Sequence, residues 1–250
     1  MQCEDEVHDL RQLWDVVVVT FNSRQDLEDN WCHRNFPDWM NVIVVDNGSS
    51  DDSVDVALGA GLQVVRSTNV GLATSNNRGA LSGISDYIAF CNPDVKLNAT
   101  DLEVLRRELD SSGGLVAPRL CHQDGSKQPN GRRWPTALRI LANRIAPNSK
   151  LAQDYLWPSS PDWLTGAFIC MSRKTFERYA KWSPSYFLYF EDVELCARMT
   201  KAGIPVAICE KVIVAHSWRR ESANILKSTS RLHVRSALRF YAQYPKRIFM

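Results

Sequence analysis

Apolar and polar positions along the first part of the chain predict strands and helices in alternation. Apolar runs predict strands at residues 15–20, 41–45, 62–65 and 86–91, and the first two are typical of strands buried in a parallel sheet. Helical spacing and capping residues predict helices at residues 23–31, 53–60 and 100–111, the last with Thr100 and Glu103 as a capping box. Residues 69–80 are polar and bounded by glycine, which predicts a loop leading into a helix. The alternation predicts a doubly wound, mostly parallel α/β sheet with ligands at the carboxyl ends of its strands.

The second half of the chain shows less periodicity. Residues 119–161 predict a loop or short-helix insertion that shapes a second substrate site. Residues 162–171 predict a strand in which Gly166 permits close backbone approach. A short helix is predicted at residues 174–181. Short strands are predicted at residues 206–209 and 212–215, and the second of these strands runs into His216. We expect a single domain over residues 1–250, with halves at about 15–117 and 118–223 and a basic helix at about 224–250.

An aromatic stretch, residues 186–190, runs directly into Glu191 and Asp192 at the start of a predicted helix. Apolar residues then recur at helical spacing, whereas Glu194, Arg198 and Lys201 are predicted to face elsewhere. Two interpretations are open. Carboxylates in a first helical turn complement the helix dipole and cap the helix. A carboxylate against apolar walls can also act as a general base, because partial desolvation moves its pKa into a useful range.

Composition and charge narrow the function classes. The 250 residues are 44% hydrophobic and 23% charged, as in a globular protein, and the net charge of +2 gives no support to nucleic-acid binding. Seven cysteines without C-x-x-C spacing predict reduced thiols rather than disulfides or a zinc site. The acidic N-terminus lacks the apolar segment of a signal peptide, and no run approaches the ~18 apolar residues of a membrane span. We therefore expect a cytoplasmic protein.

Carboxylates follow two of the predicted strands, and a histidine follows another. Asp46 and Asp94 lie in turns with Gly or Pro, which is also ordinary turn chemistry, and His216 ends the last strand. Where such donors meet, they suit Mg²⁺ or Mn²⁺ together with substrate phosphates. The sequence has no G-x-G-x-x-G loop, no P-loop and no G-x-S-x-G elbow, which argues against dinucleotide and P-loop triphosphate binding.

Short motifs in a fixed order resemble those of the family 2 nucleotide-sugar glycosyltransferases with the GT-A fold, and within them the bacterial rhamnosyltransferase-like group. The motifs are VVTFNS (18–23), VVDNGSSD (44–51), NVG (69–71) with NRG (77–79), NPD (92–94), WLTGAF (163–168), FEDVEL (190–195) and VAH (214–216). They extend over nearly the whole chain, and their order makes the resemblance specific. It implies a doubly wound, mostly parallel GT-A sheet with a nucleotide-binding half and an acceptor-binding half.

The resemblance also implies roles for individual residues. Those implied in nucleotide-sugar binding are Thr20, Phe21, Asn22, Asp46, Asn47, Gly71, Asn77, Asn92 and Asp94. Asp94 is the metal-binding member of a motif whose first aspartate is replaced here by Asn92, and His216 completes the metal or diphosphate contacts. Asp192 matches the family's general base. The residues implied on the acceptor side are Trp163, Gly166 and Glu191.

The implied reaction is an inverting sugar transfer, with Asp192 as the base for the acceptor hydroxyl and Mg²⁺ or Mn²⁺ at the diphosphate. We expect dTDP-rhamnose as the donor, with UDP-linked hexoses and a galactofuranose donor as alternatives. Lipid-linked saccharides, other saccharides and natural-product scaffolds all fit as acceptors, and the oligomeric state is left open. A nucleotidyltransferase and a catalytically inactive nucleotide-sugar-binding protein are the other function classes, of which Asn92 favours the second.

Basic residues concentrate towards the C-terminus. From Arg219 onward Glu221 is the only acid, and the cations alternate with apolar residues such as Leu226, Leu232 and Leu238. The pattern predicts a basic amphipathic helix at about residues 225–244. Its cations either solvate the outer face of a helix packed on the domain, or contact anionic lipid headgroups as a peripheral protein at the inner face of the membrane.

Overall fold

The computed structural model describes residues 13–217 and 226–248, with the backbone alone for 226–230. Several residues on which the expectations above rest lie outside this part of the chain, namely the acidic N-terminus with Cys3, and Arg219, Arg220 and Glu221. The side chains of Leu226 and Lys227 lie outside it as well.

An eight-stranded mixed sheet forms the centre of the fold. In spatial order its strands are β3 (Gln63–Arg66), β2 (Met40–Asp46), β1 (Trp14–Thr20), β4 (Tyr87–Cys91), β9 (Phe168–Ser172), β6 (Leu115–Cys121), β10 (Val206–His216) and β5 (Val95–Lys96). The first four are mutually parallel, as are β6 and β10. β9 runs antiparallel to β4 and β6, and β5 runs antiparallel to β10. A small second sheet pairs β7 (Gly131–Arg132) with β8 (Trp163–Leu164). The predicted mostly parallel α/β sheet is confirmed.

Helices cover both faces of this sheet. They are α1 (Arg24–Leu27), α2 (Ser53–Gly59), α3 (Leu72–Leu81), α4 (Ala99–Ser112), α5 (Ala137–Ile145), α6 (Lys150–Leu156), α7 (Arg173–Thr175), α8 (Glu191–Lys201) and α9 (Leu226–Gln243). π-Helical turns follow α1 at Glu28–Cys32 and α7 at Phe176–Ala180, and a 3-10 turn follows α9 at Pro245–Ile248. Alternate residues of β1 face opposite layers, so Val17 packs in one apolar cluster with α8 and α9, whereas Val16 and Val18 pack in another with α1 and α4.

α3 lies where the polar pattern predicts mainly a loop, so that prediction was wrong. Its inward face is made of small residues, Ala73, Gly79 and Ala80, which do not register as hydrophobic periodicity. A Cβ at Gly79 would lie 2.3 Å from Val17 Cγ1. The helix therefore approaches β1 too closely for the large apolar side chains by which a helix is usually predicted.

Four further boundaries differ from the predictions. The capping box of α4 is Asn98 with Asp101 rather than Thr100 with Glu103, because Asn98 is the extended residue that precedes the helix. Residues 162–171 are divided into β8 and β9, since residues 165–167 form a turn between the two strands. Residues 206–216 form one strand, β10, with an irregularity between Cys209 and Ile213 where a break between two strands is predicted. β6 takes residues 119–121 from the predicted insertion.

Candidate active site

The start of α8 follows a strained turn. Tyr189 and Phe190 both have left-handed backbones, with φ of 68° and 65°, which costs about 1–2 kcal/mol for each residue that carries a Cβ. The segment before them is anchored on α3, because Leu72 N–H donates to Phe187 O at 2.8 Å. The amide of Asn77 also exchanges two hydrogen bonds of 2.8 Å with the backbone of Trp182. These anchors set where Glu191 and Asp192 begin the helix.

Glu191 and Asp192 share a desolvated corner. Burial raises the pKa of Asp192, and hydrogen bonds from backbone N–H groups and the charge of Arg132 oppose that rise. Glu191 is 4% exposed, and its Oε2 has no hydrogen-bond partner among the described residues. Burial and the charge of Asp192 raise the pKa of Glu191 to about 8. Burial and the charge of Asp192 thus favour the protonated form of Glu191 at neutral pH, whereas the backbone N–H groups and Arg132 favour the charged form of Asp192.

Asp192 both contacts the helix terminus and faces a cavity. Its Oδ1 accepts the Val193 N–H at 2.8 Å, which satisfies one of the free N–H groups of the first turn, as the capping interpretation expects. Its Oδ2 accepts the Gly166 N–H at 2.9 Å. Each carboxylate oxygen has a second lone pair, so these two bonds leave the group able to accept a proton.

A cavity of about 370 Å³ opens beside Asp192. It brings together five of the predicted site residues, Asn92, Gly166, Glu191, Asp192 and His216. Residues that the sequence analysis did not single out also line it, among them Gln128, Asn130, Arg132, Leu188 and Tyr189. Chain segments about a hundred residues apart thus meet around one volume large enough for a small ligand.

Asp94 and His216 are brought into contact at one edge of the cavity. The antiparallel pairing of β5 with β10 places Val95 opposite His216, and Asp94 Oδ1 lies 3.2 Å from His216 Nε2. Both side chains are largely buried. The expectation that these two groups lie close together is met by this geometry, while their role as metal ligands stays a prediction.

Gln128 determines which nitrogen of His216 faces Asp94. The Gln128 Nε2 donates to the carbonyl oxygen of His216 at 2.7 Å, so Oε1 is the atom 2.8 Å from His216 Nδ1 and accepts its N–H. In the neutral imidazole the lone pair is then on Nε2, facing the carboxylate of Asp94. Two acceptors at this separation repel each other unless a proton or a cation lies between them. A proton on His216 or a cation shared with Asp94 would satisfy this arrangement.

The predicted base and ribose residues lie at the neighbouring ends of β1 and β2, where Thr20 and Asp46 are opposite each other in the ladder. Asp46 accepts the N–H groups of Gly48 and Ser49, and Asn22 accepts the N–H of Ser50. Thr20 is fully buried, and Phe21 is exposed. These residues do not belong to the lining of the 370 Å³ cavity described above. Their role in nucleotide binding stays a prediction.

Four other predicted site residues contact the protein itself. The amide of Asn47 bonds to Asn69, Val70 and Ser75, and Gly71 begins α3 against Phe187. Trp163 lies under the guanidinium of Arg132, 5.5 Å from its ring centroid, and donates to Arg133 O. At Gly166 a Cβ would lie 3.6 Å from Asp192 Cβ, an ordinary contact, so the close approach predicted there does not require glycine.

Gln128 and Arg132 are the site residues that sequence reasoning missed. Both lie in the aperiodic stretch 119–161, for which a second substrate site is predicted, but nothing local distinguishes them from neighbouring polar residues.

Glu194 of α8 differs from its prediction. It was predicted to face away from the apolar side of α8, yet it is buried, where it accepts from Arg198 Nε at 2.8 Å and from the Tyr244 hydroxyl at 3.3 Å.

The described residues limit what this part of the chain can hold. They contain no group of three or more His, Cys, Asp or Glu placed to hold a metal ion, so a cation here would need ligands from its substrate as well. The helices in this part of the chain are too short or too polar to cross a bilayer. The cysteines described are free thiols.

Comparison with known proteins agrees with this geometry. The family model of glycosyl transferase family 2 matches residues 15–179, and that of glycosyltransferase like family 2 matches residues 159–237. N-acetylglucosaminyl-diphospho-decaprenol L-rhamnosyltransferase of Mycobacterium tuberculosis is 28% identical, over 75% of this chain and 71% of the relative. Rhamnosyltransferase WbbL of Escherichia coli K12 is 24% identical, over 63% of this chain and 62% of the relative.

Solved structures share the fold at low sequence identity. Mannosyltransferase PcManGT from Pyrobaculum calidifontis, in complex with GDP-Man and Mn²⁺, is 16% identical with a TM-score of 0.60, over 86% of this chain and 60% of that one. Glucosyl-3-phosphoglycerate synthase from Mycobacterium tuberculosis, in complex with Mn²⁺, UDP and glucosyl-3-phosphoglycerate, is 16% identical with a TM-score of 0.56, over 91% and 79%. The chain thus spans less than two thirds of the length of some of these proteins.

Proposed function

The chain belongs to glycosyl transferase family 2 and has the GT-A fold, and on that premise we propose that it is an inverting glycosyltransferase. It would move a sugar, with rhamnose from dTDP-rhamnose as our first choice, onto a hydroxyl group of an acceptor. The observation that carries this proposal is the cavity in which Asp192 and His216 face one volume, with Asp94 in contact with His216. A proton acceptor and a cation-binding pair are the two groups that such a transfer needs.

Asp192 is the proposed general base. Of the carboxylate pair it is the member whose charged form receives N–H groups from Gly166 and Val193 and the field of Arg132, and it keeps lone pairs that these two backbone N–H groups do not use. An acceptor hydroxyl in the cavity would give its proton to Asp192 as its oxygen attacks the anomeric carbon of the donor. The protonated Glu191 and the backbone of Gly166 would shape the acceptor side.

Asp94 and His216 are the proposed protein ligands of a divalent cation, Mg²⁺ or Mn²⁺. The residues present fit such a group, because Gln128 leaves the Nε2 lone pair of His216 facing the carboxylate of Asp94. When bound, the cation would neutralise charge on the departing diphosphate. Asn92 adds no charge where the family motif has an aspartate, so the donor diphosphate would supply the remaining ligands.

The donor assignment rests on the names of two relatives, both rhamnosyltransferases. Thr20, Phe21, Asn22 and Asp46 are the proposed base and ribose residues, with Asn47, Gly71 and Asn77 holding the loops beside them. A UDP-sugar donor is the alternative. We propose a lipid-linked saccharide as the acceptor, since the mycobacterial relative is named for such a lipid, and a cytoplasmic site of action. The two halves of a single GT-A domain, at about 15–117 and 118–223, remain part of this proposal.

Donor binding tests the nucleotide and the metal together. We would measure thermal shifts with dTDP-, UDP- and GDP-sugars, each with Mn²⁺ and with EDTA, and expect the largest shift for dTDP-rhamnose with Mn²⁺. Asp94→Ala and His216→Ala should remove the metal-dependent part of the shift and keep that of the free nucleoside. Asp55→Ala, an exposed aspartate on α2, is the matched control.

Turnover tests the reaction class. An NMR spectrum of the transferred sugar should show an anomeric configuration opposite to that of the donor, and retention would contradict the proposal. Full activity after removal of divalent cations would contradict the metal assignment. Donor binding without turnover on any lipid-linked, saccharide or natural-product acceptor would favour the inactive binding protein.

A further inference from the structure

α5 has its apolar side exposed and its polar side packed against the protein. None of its residues is buried, and Leu138, Leu141 and Ile145 are 65%, 51% and 71% exposed. Their spacing of three and seven residues places these three side chains on one strip of the helix surface, and Ile140 is exposed on a different part of the helix. Arg139 and Asn143 lie on the partly covered side. An apolar strip of this kind on a folded helix usually marks an interaction surface.

The base of α5 is firmly anchored. The side chain of Thr136 caps the helix by accepting the Arg139 N–H at 3.2 Å, and the Tyr241 hydroxyl donates to Pro135 O. Trp134, just before the cap, stacks on the buried Phe240 of α9 at 6.5 Å between ring centroids. The exposed strip therefore belongs to a helix in a defined position, and this position lies beside the C-terminal end of α9.

α9 exposes a similar mixture of side chains. Val234 and Leu238, one turn apart, are both exposed, and Arg231 and Arg235 line a shallow groove with them. Around α5, residues 125–153 contain no Asp or Glu, and Arg144 and Lys150 are exposed. Residues 226–248 contain no acid either. Both helices thus combine exposed apolar side chains with basic residues in stretches of sequence that contain no acidic residue.

We propose that α5 and the outer face of α9 form a docking surface for an anionic lipid bilayer. Leu138, Leu141 and Ile145 would enter the boundary between headgroups and acyl chains, and the surrounding cations would contact anionic headgroups. Charge complementarity selects this partner over a second copy of the chain. A two-fold symmetric contact through this surface would bring its cations against those of the other copy.

The surface also relates to the cavity. Arg132 lines the cavity and is four residues before Thr136, the cap of α5. Docking on α5 would hold this side of the cavity near the headgroup layer. Only this last step rests on the proposed function, since a lipid-linked acceptor presents its saccharide at that layer.

Vesicle sedimentation tests the surface without donor or acceptor. The wild-type protein should sediment with vesicles of phosphatidylcholine mixed with phosphatidylglycerol and not with phosphatidylcholine alone, and raised salt should weaken the binding. Replacing Leu138, Leu141 and Ile145 together by serine should weaken binding at least tenfold. Arg144→Gln should weaken it about fivefold at low salt, as expected for the loss of one cation at an anionic surface.

The control replaces three exposed apolar residues elsewhere, Leu58, Leu81 and Ile84, by serine. It should bind vesicles like the wild type, and circular dichroism should show that both triple variants are folded. Equal binding by the two triple variants, or no binding by the wild type, would overturn the proposal. So would a dimer, seen by analytical ultracentrifugation, that the α5 variant dissociates. Calorimetry of donor binding, measured separately, reports on the proposed function alone.

Discussion

At the scale of single residues, the unequal charges of Glu191 and Asp192 are the central feature. Both are carboxylates, but Asp192 accepts the N–H groups of Gly166 and Val193 and lies in the field of Arg132. For Glu191 only its own backbone N–H opposes the rise of its pKa, and its buried Oε2 lacks a partner among the described residues. Two ionised carboxylates in one desolvated corner repel each other, so the less supported one keeps its proton.

Asp192→Asn should lower the transfer rate by ~10²–10⁴, because an amide cannot take the proton of the acceptor hydroxyl. Its oxygen still accepts an N–H bond, so the thermal midpoint and donor binding should change little. Asp101→Asn is the matched control, since it alters a first-turn carboxylate in α4, away from the cavity. Wild-type turnover in the Asp192 variant would remove the base assignment, and an unfolded variant would favour the capping interpretation.

Glu191→Gln should change how stability depends on pH. In the unfolded chain Glu191 loses its proton at its ordinary pKa, whereas in the folded protein it keeps the proton to about pH 8. The folded state therefore binds more protons in this range, and the stability of the wild type falls as pH rises, by up to about 1.4 kcal/mol per pH unit relative to the variant.

Urea unfolding of the wild type and the Glu191 variant, from about pH 5 to about pH 9, measures this difference. We expect the free energy of unfolding of the variant, relative to that of the wild type, to rise with pH up to about pH 8 and to level off above it. A difference that stays constant with pH would show that Glu191 is ionised in the folded protein at neutral pH.

At the scale of elements, α3 positions the segment that leads into α8. Gly71 begins α3 with φ of +85°, and Leu72 N–H donates to Phe187 O. Further along α3, the side chain of Asn77 hydrogen-bonds to both the N–H and the carbonyl oxygen of Trp182, as a neighbouring strand would. The strained turn at Tyr189 and Phe190 is held between these contacts and α8, so its geometry depends on α3.

Gly71→Ala should destabilise the protein and lower its activity. A Cβ there would lie 2.5 Å from Phe187 O, in addition to the cost of a left-handed backbone. Gly61→Ala is a matched control, since Gly61 has φ of +74° with nothing within 4 Å of an added Cβ. The control should lose about 1–2 kcal/mol of unfolding free energy.

The Gly71 variant should lose clearly more than the control in the same urea titration. Its turnover should fall as well, because Phe187 must move and Glu191 and Asp192 follow it in the chain. Equal losses in the two variants would show that the contact with Phe187 is not a constraint on the site.

At the scale of the whole molecule, the basic C-terminal helix is an integral part of the core around α8. Phe240 is fully buried among Trp134, Phe190, Tyr241 and Tyr244. The Tyr186 hydroxyl donates to Gln243 at 3.1 Å, and the Tyr244 hydroxyl reaches Glu194 of α8. α9 is thus packed on one side and exposed on the other, which accommodates both interpretations of its cations.

Phe240→Ala should cost about 3–5 kcal/mol of unfolding free energy, because it leaves a cavity among four aromatic rings. It should also lower activity, since Phe190 loses its packing partner. Leu238→Ala, in the same helix but 67% exposed, should change stability by less than about 0.5 kcal/mol. Denaturant unfolding of both variants decides this, and similar losses would mean that α9 is not part of the core.

Much of the fold was predictable from the sequence because the signals are local. Runs of β-branched and apolar residues indicate the buried strands β1, β2 and β4 and the edge strand β3, and apolar spacing with Gly203 at its end indicates α8. The ordered motifs at the strand ends also indicated the family. Each of these signals arises from residues that are neighbours in the chain, where backbone preference and burial leave a direct trace in residue type.

Tertiary structure alone decided what depends on contacts between distant residues. Gln128 bonds to His216 across 88 positions of sequence, and no local pattern selects it. The charge of Glu191 depends on which N–H groups and cations fold against its neighbour. The pattern of α5 shows an amphipathic helix but not which face the protein covers, and here the apolar face is the exposed one. Periodicity reports the spacing of residues in an element, whereas burial and charge state depend on what packs against it.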